Sequence, residues 1–412
     1  MNLGHCNPKI VLSDTQAAKY YDQGSWLLAL QQNQHTLDLI GQVTPALAQN
    51  MAACYSKMCE PQQAVSWFTQ YLALSTSKSP QDLRLLAQYL AQAGQLDQSE
   101  NITASIDVEC FEKYHDLATH FFRKQQWPWA FKSLSRGKQL GHQLWIGPVK
   151  WQKLPSVSRW QQESLQGKRI CLVGECGLGD EIVFARWIPQ VLAQAQQVDY
   201  LTDNSLDQVF HRQWPQLGIY SPDQDYDFWI PAMDVPQALQ SWEPRTLPYL
   251  SPHPDYCEKW QEILKTPAYI AINWTGSRNF SENVFRDIPV DFLVEKIQQQ
   301  WPSHAIVNIC METDYQPANT WDVRPHIKSW EDTLAVLSQA TRLYTSCSSV
   351  AHAAGALGTT ARVYTRPDDY FTWNSAASGH ASIWHSSVQV WRTPHIGKWH
   401  QVIAESFQND SF

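Results

Sequence analysis

Apolar residues in the first third of the chain recur at three- and four-residue spacing, the pattern of a helix with one buried face. Strand-like runs of β-branched residues are scarce there. The pattern therefore predicts an entirely helical N-terminal part over residues 1–147. Residues 148–166 are rich in Trp, Pro, Ser and Gln without a clear period, and we interpret them as a connector.

A loose internal repeat runs through the predicted helices. Four similar segments carry it, at residues 24–30, 60–68, 94–99 and 126–131. Each contains a small residue, and these follow one another at intervals of about 31 to 35 positions: Ala29, Ala64, Ser99 and Ala130. This is the period of a tetratricopeptide-like helix pair, in which a small residue lets two helices pack closely, with partner helices predicted at 46–57 and 82–93. Two interpretations stay open: a groove for a peptide or protein partner, or a helical cap on the next domain.

The remainder of the chain alternates short apolar runs with segments of helical periodicity. Strands are predicted at 169–173, 198–202, 227–230, 268–274, 305–310, 342–346, 361–365 and 388–392. Helices are predicted at 180–194, 205–214, 252–265, 289–300, 329–340, 349–357 and after Lys398. Such alternation is typical of α/β domains with parallel sheets. We predict two Rossmann-like domains, at 167–251 and 252–412.

Composition narrows the class of protein. With 43% hydrophobic residues and a formal net charge of -8, the chain is of a folded type and lacks the basic balance of a nucleic-acid-binding protein. Its nine cysteines are scattered without a C-x-x-C pair, so we expect neither a metal site nor disulfides and favour the reducing cytoplasm. The N-terminus lacks a secretory signal and no apolar run approaches the ~20 residues of a transmembrane helix, so we expect a soluble protein.

The first candidate site is Gly177-Leu178-Gly179-Asp180, at the turn from strand 169–173 into a helix. Glycines at such a turn let a ligand approach the backbone N–H groups of a helix N-terminus. Asp180 stands at the first helical position, where a functional carboxylate and an ordinary helix-capping aspartate are both plausible.

The second candidate site follows strand 268–274 and comprises Thr275, Gly276, Ser277 and Arg278, with Arg286 a few residues on. Such a loop offers N–H donors, and the arginines offer bidentate guanidinium groups, which together suit a diphosphate. An ordinary surface turn with solvated arginines is the alternative.

The third candidate site is a hydroxyl-rich turn at the end of strand 342–346. It comprises Cys347, Ser348 and Ser349, with His352 on the first turn of a helix of small residues. Open α/β sheets bind ligands at the carboxyl ends of their strands, so this turn is a second anion pocket. A lone helical histidine is more often structural, and we assign His352 no catalytic role.

Together these motifs resemble a known family. Residues 174–182, with Phe184, Arg186 and Pro189, resemble the G-E-Q-G-L-G-D-x-I-x-F-x-R-x-x-P signature of certain bacterial tetratricopeptide-linked proteins. The C-terminal region of those proteins is similar to the ADP-heptose:lipopolysaccharide heptosyltransferases, glycosyltransferase family nine. Residues 273–277, 286–289 and 346–358 resemble, in order, V-W-x-G-[NS], R-S-I-P and S-V-D-T-x-x-A-H-L-A-G-A-L-G.

The end of the chain extends the resemblance, which covers roughly residues 168–407. It is similar to the family's D-W-R-W…W-Y…R-Q…G-D-W ending through Asp369, Trp373, Trp384, Trp391, Arg392, Gly397, Lys398 and Trp399.

The resemblance implies a GT-B fold, with a nucleotide-diphosphate sugar held mainly by the C-terminal half and the acceptor by the N-terminal half. It implies an inverting, metal-independent transfer without a cofactor, in which Asp180 corresponds to the catalytic base. Inversion needs one base to deprotonate the acceptor hydroxyl as it attacks the anomeric carbon. The leaving diphosphate would be met by Arg278, Arg286, Ser348 and the helix that begins at Ser349.

Two positions depart from the family pattern. Cys347-Ser348 replaces an Asp-Thr pair that helps to organise the donor, and Arg286 replaces a lysine, which keeps the charge with a different geometry. We expect an inverting glycosyltransferase whose acceptor is a protein docked on the repeats or a surface-glycan precursor. One alternative is a non-catalytic repeat scaffold with a degenerate transferase half, which Cys347 favours and the intact 177–180 turn opposes. The other is a sugar-nucleotide epimerase.

Overall fold

The computed structural model describes residues 8–141, 146, 148–202, 206–278, 283, 286–366, 370–375, 379–393 and 398–408. Asp369 and Gly397, which contribute to the family-like ending, lie outside the described residues. Two compact units divide the chain, one ending at His120 and the other beginning at Phe121. The finer domain limits at 147, 166 and 251 stay a prediction. Within the described ranges, no helix is long and apolar enough to cross a bilayer.

Helical hairpins build the first unit. The helices are α1 Pro8–Asp22, α2 Trp26–Ile40, α3 Pro45–Lys57, α4 Pro61–Leu74, α5 Pro80–Gln92 and α6 Leu96–Ser105, followed by α7 Phe111–Arg123. α1 packs on α2, α3 on α4 and α5 on α6. The hydroxyls of Thr44 and Ser79 accept N–H groups at the starts of α3 and α5, and Gly41 ends α2 in the left-handed conformation. The predicted helical repeat is confirmed.

The small residues that defined the repeat are all completely buried. Ala29, Ala64, Ser99 and Ala130 are each 0% exposed, and they lie in α2, α4, α6 and α8 Trp127–Gly141. Ala64 belongs to a cluster with Ala52 of α3. A larger side chain at these positions would collide with the partner helix, which explains the spacing seen in the sequence.

We expect Ala64→Leu to lower the free energy of unfolding by about 1–3 kcal/mol, because extra methylenes have no space between α3 and α4. Ala73 is exposed on the same helix, so Ala73→Leu is the matched control and should change stability little. Urea unfolding followed by circular dichroism measures both variants. Equal losses of stability in the two would contradict close packing at Ala64.

The second unit contains two parallel sheets, so the predicted α/β region is confirmed. The first sheet has the order β1-β5-β2-β3-β4 and the second the order β11-β10-β9-β6-β7-β8. Their strands are β1 Ser158–Arg159, β2 Arg169–Val173, β3 Gln197–Leu201, β4 Leu217–Ile219, β5 Phe228–Pro231, β6 Tyr269–Asn273, β7 Ala305–Asn308, β8 Trp321–Asp322, β9 Arg342–Ser346, β10 Ala361–Thr365 and β11 Val388–Arg392. Every strand predicted from the sequence is present, whereas β1, β4 and β8 are additional short strands.

The remaining helices connect these strands. They are α9 Pro148–Gln152, α10 Leu178–Phe184, α11 Ile188–Leu192, α12 Asp207–Gln213, α13 Val235–Leu239, α14 Pro254–Leu264, α15 Val290–Gln300, α16 Trp330–Gln339, α17 Ser349–Leu357 and α18 Trp399–Gln408. The single helix predicted at 180–194 was wrong, because α10 and α11 are separated by a 3-10 turn, Ala185–Trp187. Pro189 has no N–H group to continue the α-helical bonding through this turn. The terminal helix α18 packs on helix α15 and on strand β11 of the second sheet.

Arg186, in the 3-10 turn, ties the two sheets together. Its Nη1 donates to the Trp384 carbonyl at 2.7 Å and to the Arg245 carbonyl at 3.0 Å, and its Nε donates to the Val183 carbonyl at 2.8 Å. The guanidinium group is buried and lies 4.9 Å from the centre of the Tyr249 ring. One arginine therefore joins the α10 segment to the loop before β11.

We expect Arg186→Met to lower the free energy of unfolding by about 3 kcal/mol, because the buried carbonyls that it serves would lose a charged donor. Arg245→Met is the control, since the Arg245 side chain is exposed and only its carbonyl takes part in the network. Chemical denaturation followed by tryptophan fluorescence compares the two variants. A loss of stability no larger in Arg186→Met than in the control would show that Arg186 does not join the two sheets.

Candidate functional site

The turn after β2 has a tightly constrained backbone. Cys176 adopts a left-handed conformation with φ of 54°, and α10 begins two residues later. Gly174 faces the Glu181 carboxyl group so closely that an added Cβ would lie 2.5 Å from it. The Asp180 carboxylate turns back and accepts the Gly177 N–H at 3.2 Å. A side chain at 174 would have to displace the Glu181 carboxyl group, which explains the glycine at this position.

Two buried lysines neutralise two of the three carboxylates in this segment. Lys138, from α8, donates to Glu175 Oε2 at 2.6 Å. Lys150, from α9, donates to Glu181 Oε1 at 3.0 Å and to the Gly174 carbonyl at 3.1 Å. The third carboxylate, Asp180, is half-buried and forms no ion pair with any residue in the described part of the chain. It is therefore the one carboxylate of the three whose charge is not met by a cation within the described residues.

The surroundings of Asp180 change its acidity. Burial is the main cause that raises the pKa of Asp180 to about 7. The Gly177 N–H acts against this rise, whereas the charges of Glu175 and Glu181 add to it. A general base works best when its pKa lies near the working pH, because it is then both ionised and basic enough.

The first and third candidate sites meet at Gly179. An added Cβ there would lie 2.9 Å from His352 Cδ2 and 3.4 Å from the Ser349 Cα atom, so α10 and α17 touch without an intervening side chain. Ser348 is the N-cap residue of α17. Burial raises the pKa of Tyr370, in the loop after β10, well above its usual range, and the nearby charge of Asp180 raises it further. The turn that carries Asp180 thus faces the start of α17.

The second candidate site joins the third through Asn273, at the end of β6. Its Nδ2 donates to the Thr345 hydroxyl at 3.1 Å, the Ser348 hydroxyl at 3.2 Å and the Thr275 carbonyl at 3.1 Å. β6 and β9 are neighbouring parallel strands, with Asn273 opposite Thr345, so their carboxyl ends lie at the same edge. The loop after β6 therefore borders the start of α17.

Arg286 lies beside the backbone of this loop. An added Cβ at Gly276 would be 3.3 Å from Arg286 Nη1. The Thr275 hydroxyl accepts from Asn283 Nδ2 at 2.8 Å and donates to Asp287. These contacts hold Thr275, Gly276 and Arg286 together.

Three other predicted residues lie in different surroundings. Ser277 and Arg278 are exposed, and Arg278 Nε donates to the Glu312 carbonyl at 2.5 Å. Cys347 is buried, with 5% of its surface exposed. The sequence analysis predicted that all three residues bind a diphosphate. In the structure, the Arg278 side chain instead hydrogen-bonds the loop after β7.

His352 is buried in a ring cluster. It stacks on Trp373 with ring centres 3.9 Å apart, and its Nδ1 lies 3.3 Å from His385 Nε2. Burial holds the pKa of His352 well below its usual range, and the Arg186 charge lowers it further. His352 is therefore neutral near pH 7, and its ring packs against Trp373 in the interior.

Several residues of the site had no signal in the motifs. Lys138 and Lys150 come from helices outside the two sheets, and Tyr370 follows Asp369 of the family-like ending. Asn273 lies within the family-like segment 273–277, but the sequence analysis gave it no role. The strand-end position of Asn273 is the one feature that could have identified it. Across the described ranges, no group of three or more His, Cys, Asp and Glu side chains is placed to hold a metal ion.

Comparisons with known proteins identify partial similarities. No family model matches the chain. Protein FlbA of Caulobacter vibrioides is 25% identical over an alignment of 137 residues. The match covers 27% of this chain and 23% of FlbA, which is less than a quarter of that relative.

Similar solved structures fall into two kinds. A tetratricopeptide repeat protein from Parabacteroides merdae has a TM-score of 0.30 at 15% identity, over 33% of this chain and 55% of that one. MamA from Desulfovibrio magneticus RS-1 has a TM-score of 0.31 at 14% identity, over 36% and 82% of the chains. A glycosyl transferase family 9 protein from Veillonella parvula has a TM-score of 0.43 at 12% identity, over 61% and 92%.

We expect Asp180→Asn to stabilise the protein at alkaline pH. The pKa of the folded Asp180, about 7, lies above its ordinary value of 3.8, so folding favours the protonated form. The associated stability is complete below about pH 4 and is lost as the pH rises through 7. The melting temperature of Asp180→Asn should therefore exceed that of the wild type above pH 7.

Melting temperatures between pH 4 and pH 9 measure this difference. Asp255→Asn is the control, because the Asp255 side chain is 87% exposed at a helix start. Parallel pH curves for the wild type and Asp180→Asn would show that Asp180 titrates as an ordinary aspartate.

Proposed function

We propose that the protein is an inverting glycosyltransferase that moves a sugar from a nucleotide-diphosphate sugar to a protein or surface-glycan acceptor. The observation that carries the proposal is the position of Asp180. It is the one carboxylate of its segment without an ion pair among the described residues, its pKa is about 7, and its turn faces the start of α17. A base and an anion-binding helix start on opposite sides of one cleft are what inverting transfer needs.

In the proposed reaction, the Asp180 carboxylate takes the proton of the acceptor hydroxyl. The hydroxyl oxygen forms a bond to the anomeric carbon, and the bond from that carbon to the diphosphate oxygen breaks on the opposite face. The electron pair leaves with the nucleoside diphosphate. Gly177, Leu178 and Gly179 would form the acceptor-side loop.

The departing diphosphate needs hydrogen-bond donors and positive charge. We assign these to the N–H groups at the start of α17, the Ser348 and Ser349 hydroxyls and Arg286. The loop from Thr275 to Ser277 adds backbone donors. Arg278 would have to leave the Glu312 carbonyl to reach the donor, and we therefore give it a smaller part than Arg286.

The helical repeats have a separate proposed task. Their predicted groove would hold a peptide or protein, either as the acceptor or as a partner that brings the acceptor. We propose a cytoplasmic location, because the nine cysteines are scattered along the sequence without a C-x-x-C pair. A non-catalytic scaffold is the second candidate, and the observation in its favour is the buried Cys347 where the similar family has an aspartate.

Thermal-shift measurements with ADP-, GDP-, UDP- and dTDP-sugars test the proposal. We expect one nucleotide class to stabilise the protein, by about 2.7 kcal/mol at a ligand concentration 100-fold above Kd. The shift should persist in Asp180→Asn and disappear in Arg286→Ala, because the first removes a base and the second removes donor contacts. Arg245→Ala, an exposed arginine, is the control for loss of charge.

Turnover separates the two candidate functions. With the stabilising donor and an accepted hydroxyl compound, we expect Asp180→Asn to lose about 10²–10⁴-fold in kcat, the usual contribution of a general base. A donor that binds but is never consumed, with or without candidate acceptors, would favour the scaffold. The absence of a shift with every nucleotide would remove the support for a donor site.

A further inference from the structure

Helix α8 contributes a buried cation to the turn that carries Asp180. Lys138 is 0% exposed, and its Nζ lies 2.6 Å from Glu175 Oε2 and 3.6 Å from Asp234 Oδ1. Asp234 also forms an ion pair with Arg159 of β1. Two cations and two carboxylates therefore balance in charge, and three of the four side chains, all but Arg159, are buried. Such pairs persist only when their geometry is maintained, because each buried ion has lost its hydration.

Glu175 is the member of this group that reaches the site. Its Oε2 also accepts the Met233 N–H at 3.1 Å, and its Oε1 has no hydrogen-bond partner within the described residues although it is buried. Glu175 directly precedes Cys176, whose left-handed conformation starts the turn toward Asp180. Two fixed bonds to one carboxylate oxygen therefore determine where this turn leaves β2.

We propose that Lys138 and Glu175 are a positioning pair for Asp180, in which Lys138 holds the Glu175 carboxylate so that the turn stays in place and negative charge stays beside Asp180. This inference rests on the proposed function for the role of Asp180 as a base, but the pair itself is testable without turnover. It gives α8, whose Ala130 continues the small-residue repeat, a direct part in the site of the second unit.

The sign of the effect follows from the charges. Burial raises the pKa of Glu175, the Lys138 charge opposes that rise, and Asp234 adds to it. An ionised Glu175 in turn disfavours the ionised form of Asp180. The groups that face Asp180 and Glu175 are Cys176 and Glu181 from their own segment, Lys138 from α8, Asp234 from the turn after β5, and Tyr200 and Tyr370 from β3 and the loop after β10.

Glu175→Gln is the informative substitution, because the amide keeps the shape of the side chain and Lys138 retains Asp234 as a partner. We expect the pKa of Asp180 to fall by about one pH unit or more, the usual size of the effect of one neighbouring charge. Lys138→Met combined with Glu175→Gln removes both charges and should give the same acid shift. This double variant guards against a fold lost through an unpaired buried ion.

The readout is the titration midpoint of Asp180 in the folded protein, taken as the pH at which the difference in melting temperature between each protein and its Asp180→Asn counterpart levels off. Four backgrounds are compared: wild type, Glu175→Gln, the double variant, and Lys132→Met as the control. Lys132 is exposed on the same helix and lies over the Trp129 ring, so its loss should leave the midpoint unchanged. The expected midpoints are near pH 7 for wild type and control, and about one unit lower for the other two.

A midpoint that is unchanged or higher in Glu175→Gln overturns the pairing, as does a wild type without a midpoint. If a donor and acceptor are found, the acid limb of kcat/KM should move down in the same two backgrounds. A stability midpoint that shifts in a protein that transfers no sugar would support the pair and defeat the proposed function. A purely structural role for Lys138 would lower all melting temperatures without moving any midpoint.

Discussion

The site depends on the contact between Gly179 of α10 and the first turn of α17. An added Cβ at this glycine would lie 2.9 Å from a ring carbon of His352, so a side chain there would force the two helices apart. The contact sets the distance between Asp180, one residue further on, and the helix start at Ser349. Arg186 secures the same contact from behind, because its guanidinium group binds the Trp384 carbonyl across the two sheets. Such contacts fix the spacing between the Asp180 turn and the start of α17, and fixed spacing is a condition for positioning two reactants.

Burying charged side chains around the turn after β2 costs the folded state free energy. The pairing of these charges shows which carboxylates the lysines serve. Lys138 and Lys150 have lost their hydration, and each regains a carboxylate partner at 2.6 Å or 3.0 Å. Replacement of such ion pairs by apolar residues is often neutral or stabilising, so general stability is a weak explanation for them. Their common feature is that both partners, Glu175 and Glu181, flank Asp180. Asp180, with a pKa of about 7, is the carboxylate of this segment without an ion pair among the described residues.

Much of this fold could be predicted from the sequence, for identifiable reasons. Strands such as β6 and β9 are continuous apolar runs, since both faces of the sheet are covered, and the repeat was visible in small residues that have no exposed surface. Strands β1 and β8 have two residues each, which is too short for a periodic pattern of apolar residues to show in the sequence. The contact between Lys138 and Glu175 spans 37 positions, and no local pattern predicts a partner at such a separation. The sequence grouped His352 with the hydroxyl-rich turn as part of an anion pocket. In the structure its ring stacks on Trp373, a tertiary contact that no local pattern predicts.

The structural roles of the signature residues limit what the resemblance alone can establish. Gly174, Glu175 and Arg186 each have a packing or pairing task that a protein without catalytic activity would also need. Retention of these residues therefore indicates retention of the fold. Asp180 differs from them, because its Gly177 bond caps a helix that other residues could cap, while burial keeps its pKa near 7 at an energetic cost to the folded state. The capping bond is a small structural return for that cost, and functional sites are where proteins concentrate such costs.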